Sequence, residues 1–196
     1  MIQHKKNQES LGHMLQNGEA CPFLVQSMWY VMQTEAGREQ ELVEKIKKMV
    51  EHRVYRRCFF VKRERVRKIQ GEYKVYTEAL YPGYVFIDTD EPERFYTQIR
   101  ELPQSGRILG KGEKGLYPVD EEEREFLTEL VDGDEEDTIR LSPVKVNEEG
   151  DIVACGGVVG KFFGSVVKKR MRERYVVVRV EGKRKVREVL LGVWKK

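Results

Sequence analysis

Cysteine and histidine are scarce: Cys21, Cys58 and Cys155, and His4, His13 and His52, are all that 196 residues contain. Neither set has the paired spacing of a zinc site or a disulfide framework, so a reduced protein without metal is expected. No run reaches the roughly 18 apolar residues that would cross a bilayer. The first ten residues lead into no apolar signal core, and a cytoplasmic protein with no membrane contact is expected. A Gly-rich phosphate loop, a nucleophile motif and a convergent set of acids and bases are also missing. The expectation is a protein that is not an enzyme and carries no cofactor.

Positive charge, by contrast, is abundant and unevenly placed. The last 36 residues, Lys161 to Lys196, hold thirteen Lys or Arg against three Glu, a local +10 on a chain whose net charge is +3. The remaining 160 residues therefore sum to −7. Such a dipolar distribution gives one end of the molecule a field that recruits polyanions, and nucleic acid is the first partner to consider.

These cations are interleaved with strand formers. Ser165-Val166-Val167, Tyr175 to Val180 and Val186 to Trp194 are β-branched and aromatic, and Gly156, Gly157, Gly160, Gly164, Gly182 and Gly192 punctuate them. A small, cationic all-β barrel over 147–196 follows. Its glycines and β-branched runs oppose any helical alternative for the same segment.

Upstream, the pattern is mixed. Residues 1–27 are polar and aperiodic and read as a disordered extension, with Met28 directly ahead of the first strand, Trp29 to Thr34, as an alternative start. From Arg38 to Glu51, Leu42, Val43, Ile46, Met49 and Val50 recur at three and four and predict an amphipathic helix. Phe59 to Ile69 and Tyr73 to Thr77, separated by Gln70-Gly71-Glu72, predict a long charged hairpin with Arg63, Arg65 and Arg67 on one side. Pro82-Gly83 marks a turn ahead of the apolar strand Tyr84 to Asp88. Helices are expected from Glu91 to Leu102 and from Asp120 to Val131, with a Gly- and Lys-containing loop over 106–115 between them. Residues 120–137 contain eleven acids and one Arg, and 132–146 read as an acidic linker between independent domains at 28–131 and 147–196.

Three collinear pieces resemble bacterial transcription elongation factors of the NusG family. They are Trp29-Tyr30-Val31-x-Gln33 with Gly37 and Glu39, then Tyr81-Pro82-Gly83-Tyr84-Val85-Phe86, and finally Gly150-Asp151-Ile152-Val153 through Phe162-Phe163-Gly164-Ser165-Val166-Val167, which looks like a KOW module. The resemblance implies an α+β fold: an N-terminal antiparallel sheet with flanking helices, plus a C-terminal SH3-like barrel. It implies a non-catalytic monomer that docks on the clamp helices of RNA polymerase, with Trp29, Gln33, Tyr81 and Tyr84 facing the polymerase. Arg63, Arg65, Arg67, Lys68 and Lys74 would then lie against non-template or upstream DNA. Lys168, Lys169, Arg170, Arg172, Arg174, Lys183, Arg184, Lys185 and Arg187 would meet RNA, such as a structured hairpin in the nascent transcript. The barrel loop reads Gly156-Gly157-Val158-Val159-Gly160-Lys161 where housekeeping members carry a Gly-Pro-Phe tip. With the +10 barrel, this departure resembles specialised antiterminator paralogues of the LoaP kind. A ribosome-associated RNA-binding KOW protein is the second reading.

Overall fold

The structure, a computed structural model, describes residues 28–100 and 116–195. The extension at 1–27, the end of the second expected helix and the loop at 106–115 lie outside the described residues.

Strand β1 (Trp29–Gln33) sits inside a four-stranded antiparallel sheet with β2 (Arg57–Phe59), β5 (Tyr84–Asp88) and β6 (Tyr117–Pro118), in the order β2-β5-β1-β6. Because successive side chains on a strand alternate faces, the sheet is apolar on both sides. Met32, Val85 and Ile87 point to one face, where α1 (Glu39–Met49) lays down Leu42, Val43 and Ile46, and α2 (Pro92–Arg100) lays down Phe95 and Ile99. Trp29, Phe59 and Phe86 belong to the opposite core, which takes Phe126, Leu127 and Leu130 from α3 (Glu121–Val131). The 3.6-residue period that predicts α1 thus describes its buried stripe except at Met49, which is exposed. Helix α3 starts where Asp120 accepts the Glu122 amide at 3.0 Å and ends on Asp132 at φ 57°.

Strands β3 (Lys62–Ile69) and β4 (Glu72–Ala79) form the long hairpin, paired from Lys62 opposite Ala79 to Ile69 opposite Glu72. Its two-residue turn needs positive φ at both positions, and Gln70 (52°) and Gly71 (89°) supply it. The outer edge of β3 accepts β7 (Thr138–Ile139) in parallel.

The C-terminal unit is a curled five-stranded sheet in the order β10-β11-β12-β8-β9, a small barrel built from β8 (Ser142–Val146), β9 (Ile152–Cys155), β10 (Val166–Arg170), β11 (Tyr175–Glu181) and β12 (Val186–Lys195). Two sequence expectations differ here. Residues 138–146 form strands rather than linker, with Ile139 inward from β7 and Val144 inward from β8; both are buried. The acids before them fold into a tight turn, with Arg140 holding Asp134 at 2.6 Å and Glu136 at 2.9 Å. Gly157–Lys161 is a short helix, α4, rather than an open loop, since Val158 and Val159 turn inward.

The two units are also in contact rather than independent. Phe126 of α3 meets Phe162 edge-on at 6.3 Å, and one buried cluster runs from Trp29 through Leu127 and Leu130 to Val176, Leu191 and Val193. Helix α3 reads as the end of one unit in sequence, yet its apolar stripe is wide enough to serve two.

Candidate functional site

The loop at 81–84 is fixed from three directions. Gly83 adopts φ 82°, and a Cβ there would stand 2.8 Å from the Thr34 carbonyl oxygen, so the turn requires glycine. The Thr34 amide donates to the Gly83 carbonyl at 2.8 Å. Buried Glu39 accepts from the amides of both Gly83 and Gly37. Burial raises the carboxyl of Glu39, but those amide bonds outweigh it and hold the group below its ordinary value of 4.5.

This anchoring decides where the four residues of the expected polymerase face end up. Tyr84, 37% exposed, stands opposite Gln33 in the β1–β5 ladder, and Gln33 Nε2 donates to its hydroxyl at 2.8 Å. Those two form one surface patch. Tyr81 turns away and donates its hydroxyl to Glu123 at 3.0 Å; burial first, and then the Glu123 carboxylate, push its phenol up. Trp29 is 8% exposed, packs edge-on against Phe59 at 4.9 Å and belongs to the core, so its ring is not part of that patch. Glu39 acts on the loop without being legible as a site residue; the paired Gly37 and Gly83, each needing positive φ, were the available signal.

On the β3–β4 hairpin the cations separate. Arg63 and Arg65 share Glu78 at 2.9 and 3.2 Å, and Arg63 also donates to the Leu190 carbonyl in the barrel at 3.4 Å. Arg67 lies 4.1 Å over the Tyr76 ring, Lys68 stands 5.9 Å from that of Tyr73, and Lys74 pairs opposite Arg67.

The barrel cations occupy the β10–β11 and β11–β12 turns and their flanks, and the two turns differ in what they meet. At the β11–β12 turn, Arg184 pairs with Asp120 at 3.0 Å, Lys185 with Glu123 at 2.5 Å, and Arg187 with both Glu122 and Glu123 at 2.9 and 3.0 Å. The Lys183 amide donates to Glu122. Arg187 is buried and also covers Phe126. Its bond holds the carboxyl of Glu122 below the ordinary range; for Glu123, Lys185 and Arg187 overcome a burial effect of opposite sign. Three cations expected to face RNA are therefore neutralised by α3. At the β10–β11 turn, Lys169 pairs with Asp151 at 2.9 Å, while Arg174 lies 4.4 Å over Tyr73 of the other unit.

Nothing in this arrangement resembles a catalytic constellation. The Cys58 thiol is pushed up to about 12 by burial, which removes it as a nucleophile. No helix among the described residues is long and apolar enough to cross a membrane.

A family model described as NusG, transcription termination factor, matches residues 27–128. The transcription termination/antitermination protein NusG of Helicobacter pylori is 32% identical over 91 residues, covering 44% of this chain and 52% of that protein. Its Campylobacter jejuni counterpart is 30% identical over 107 residues, covering 53% and 60%. The chain thus spans about half the length of the curated relatives it matches. A solved structure described as domain interaction in Thermotoga maritima NusG aligns at a TM-score of 0.43 and 21% identity, over 85% of this chain and 94% of that one.

Proposed function

Since the chain belongs to the NusG family of transcription factors, we propose that it is a non-catalytic, cytoplasmic factor that acts on elongating RNA polymerase. Residues 28–131 dock on the clamp helices of the polymerase through the patch of Tyr84 and Gln33. Cations of the hairpin and barrel meet nucleic acid, and the protein promotes read-through of terminators in particular operons, as a specialised antiterminator does. The observation that carries this reading is the family match over 27–128, the stretch that holds the 81–84 loop. An exposed tyrosine on a backbone that three contacts fix is the kind of pre-ordered aromatic anchor on which helix-docking interfaces concentrate their energy. The specialised role is supported by the inward turn of Val158 and Val159, which withdraws these two apolar residues of the barrel tip from a protein partner.

Co-elution of the purified chain with RNA polymerase core tests the docking. Tyr84→Ala with Gln33→Ala should weaken binding by about 2 kcal/mol, the scale of an interface anchor, while the circular dichroism spectrum stays native. Co-sedimentation with ribosomes and no retention by polymerase would establish the ribosomal reading instead.

A further inference from the structure

The cations of this molecule fall into two classes according to what faces them. Arg63, Arg65, Lys169 and Arg179 hold nearby carboxylates, and Arg184, Lys185 and Arg187 hold the acids of α3. Arg67, Lys68 and Lys74, around the β3–β4 turn, make no ion pair among the described residues. The same holds for Lys168, Arg170, Arg172 and Arg174 around the β10–β11 turn. These seven cations without an ion pair lie on two hairpins from different units.

Those two hairpins touch. Arg174 sits at φ 57° with its carbonyl accepting the Val193 amide, a left-handed turn position, and its guanidinium packs against the ring of Tyr73. Arg65 in turn lies 5.4 Å from the ring of Tyr175, the strand neighbour of Arg170. Nε and Nη1 of Arg174 are shut from solvent with no hydrogen-bond acceptor. A cation without a carboxylate at a seam is a place where an entering anion lowers the energy.

The surface around this seam is aromatic as well as basic. Tyr73 remains 39% exposed between Lys68 and Arg174, and Val75, two residues on along the same face of β4, is exposed as well. An acidic peptide would use only the charge. A single-stranded nucleic acid uses both features, stacking bases on ring faces and guanidinium planes while its phosphates meet the cations; a duplex hides its base faces.

Resting on the reading that the basic barrel meets nucleic acid, we propose that the β3–β4 and β10–β11 hairpins form one continuous track for a single strand, with Tyr73 as its stacking platform. Neither unit holds the whole track. The β11–β12 turn, whose Arg184, Lys185 and Arg187 are paired with acids at the start of α3, takes no part.

The test uses the full chain and fluorescent oligonucleotides of about twelve nucleotides, within the span that comparable single-strand sites cover. Uridine-rich RNA, thymidine-rich DNA and a DNA duplex are titrated over a range of salt. Lys68→Glu with Lys74→Glu, and separately Arg170→Glu with Arg172→Glu, should each lower affinity for the same strand about tenfold or more. Each pair should also flatten the salt dependence by about 1.4, twice the value per phosphate contact. Tyr73→Ala should lose about tenfold in affinity, the scale of one stacked base, together with quenching of a 2-aminopurine in the strand; Tyr73→Phe should keep both. Binding of either single strand with this mutational pattern supports the track, and the tighter of the two names its source. If only the barrel pair matters, the track is wrong while the barrel still binds nucleic acid. Preference for the duplex overturns it as well. No binding of any oligonucleotide at low salt removes both the track and the nucleic-acid part of the proposed function.

Discussion

Glu39 and Gly83 do for the 81–84 loop what no aromatic residue does. Gly83→Ala combines a left-handed backbone with a Cβ 2.8 Å from a carbonyl oxygen. It should cost about 2 kcal/mol or more, read as a lower midpoint of urea unfolding with unchanged slope. The carboxyl of Glu39 lies below its ordinary 4.5 in the folded chain. Its stabilising effect is therefore complete above about 4.5 and fades as pH falls through the lower folded value. Glu39→Gln should reduce stability at neutral pH and flatten the loss of stability on acidification; an unchanged acid limb would contradict the assignment. The motif Tyr81-Pro82-Gly83-Tyr84 was visible in the sequence, but which of its rings meets solvent was not. That depends on Glu123, forty-two residues away from Tyr81, whose approach no local pattern encodes.

At the scale of elements, α3 packs against both units, although its place in the sequence assigns it to one. Its stripe of Phe126, Leu127 and Leu130 was legible from spacing, as were α1 and the strands of the charged hairpin. Its acids, by sequence alone, suit helix-start chemistry and linker. They do occupy the helix start, where the dipole favours them, yet Glu122 and Glu123 also receive Arg187 from the barrel. The short strands in 138–146 were masked by the acidic run before them. Side-chain partners across more than sixty residues are set by packing, which composition cannot report. Arg187→Ala removes a buried cation, leaving Glu122 without its cation and Glu123 with Lys185 alone, at a cost of about 2 kcal/mol, since the contact is only partly screened. Thermal unfolding followed by circular dichroism should show the loss, and a variant as stable as the parent would show that the contact contributes little. The carboxyls of Glu122 and Glu123 are both depressed, so the contact should hold above pH 4.5 and loosen as pH falls below it.

For the whole molecule, the opposed charges of +10 and −7 are only partly presented to the outside. Acids at the start of α3 meet the β11–β12 turn, while cations of the β3–β4 and β10–β11 hairpins remain without ion pairs among the described residues. The patch of Tyr84 and Gln33 lies on the sheet of the N-terminal unit, and under the proposed function it would meet polymerase while the charged hairpins meet nucleic acid. A factor with both surfaces would join a polymerase to a strand. The central claim is that this joining changes termination. Transcription in vitro with purified RNA polymerase, on a template carrying the leader and terminator nearest the gene for this chain, measures it most directly. The fraction of transcripts passing the terminator should rise with added protein and return to its basal value with the Tyr84→Ala, Gln33→Ala variant. Unchanged read-through at saturating protein, or an equal rise with the folded variant, would contradict the account.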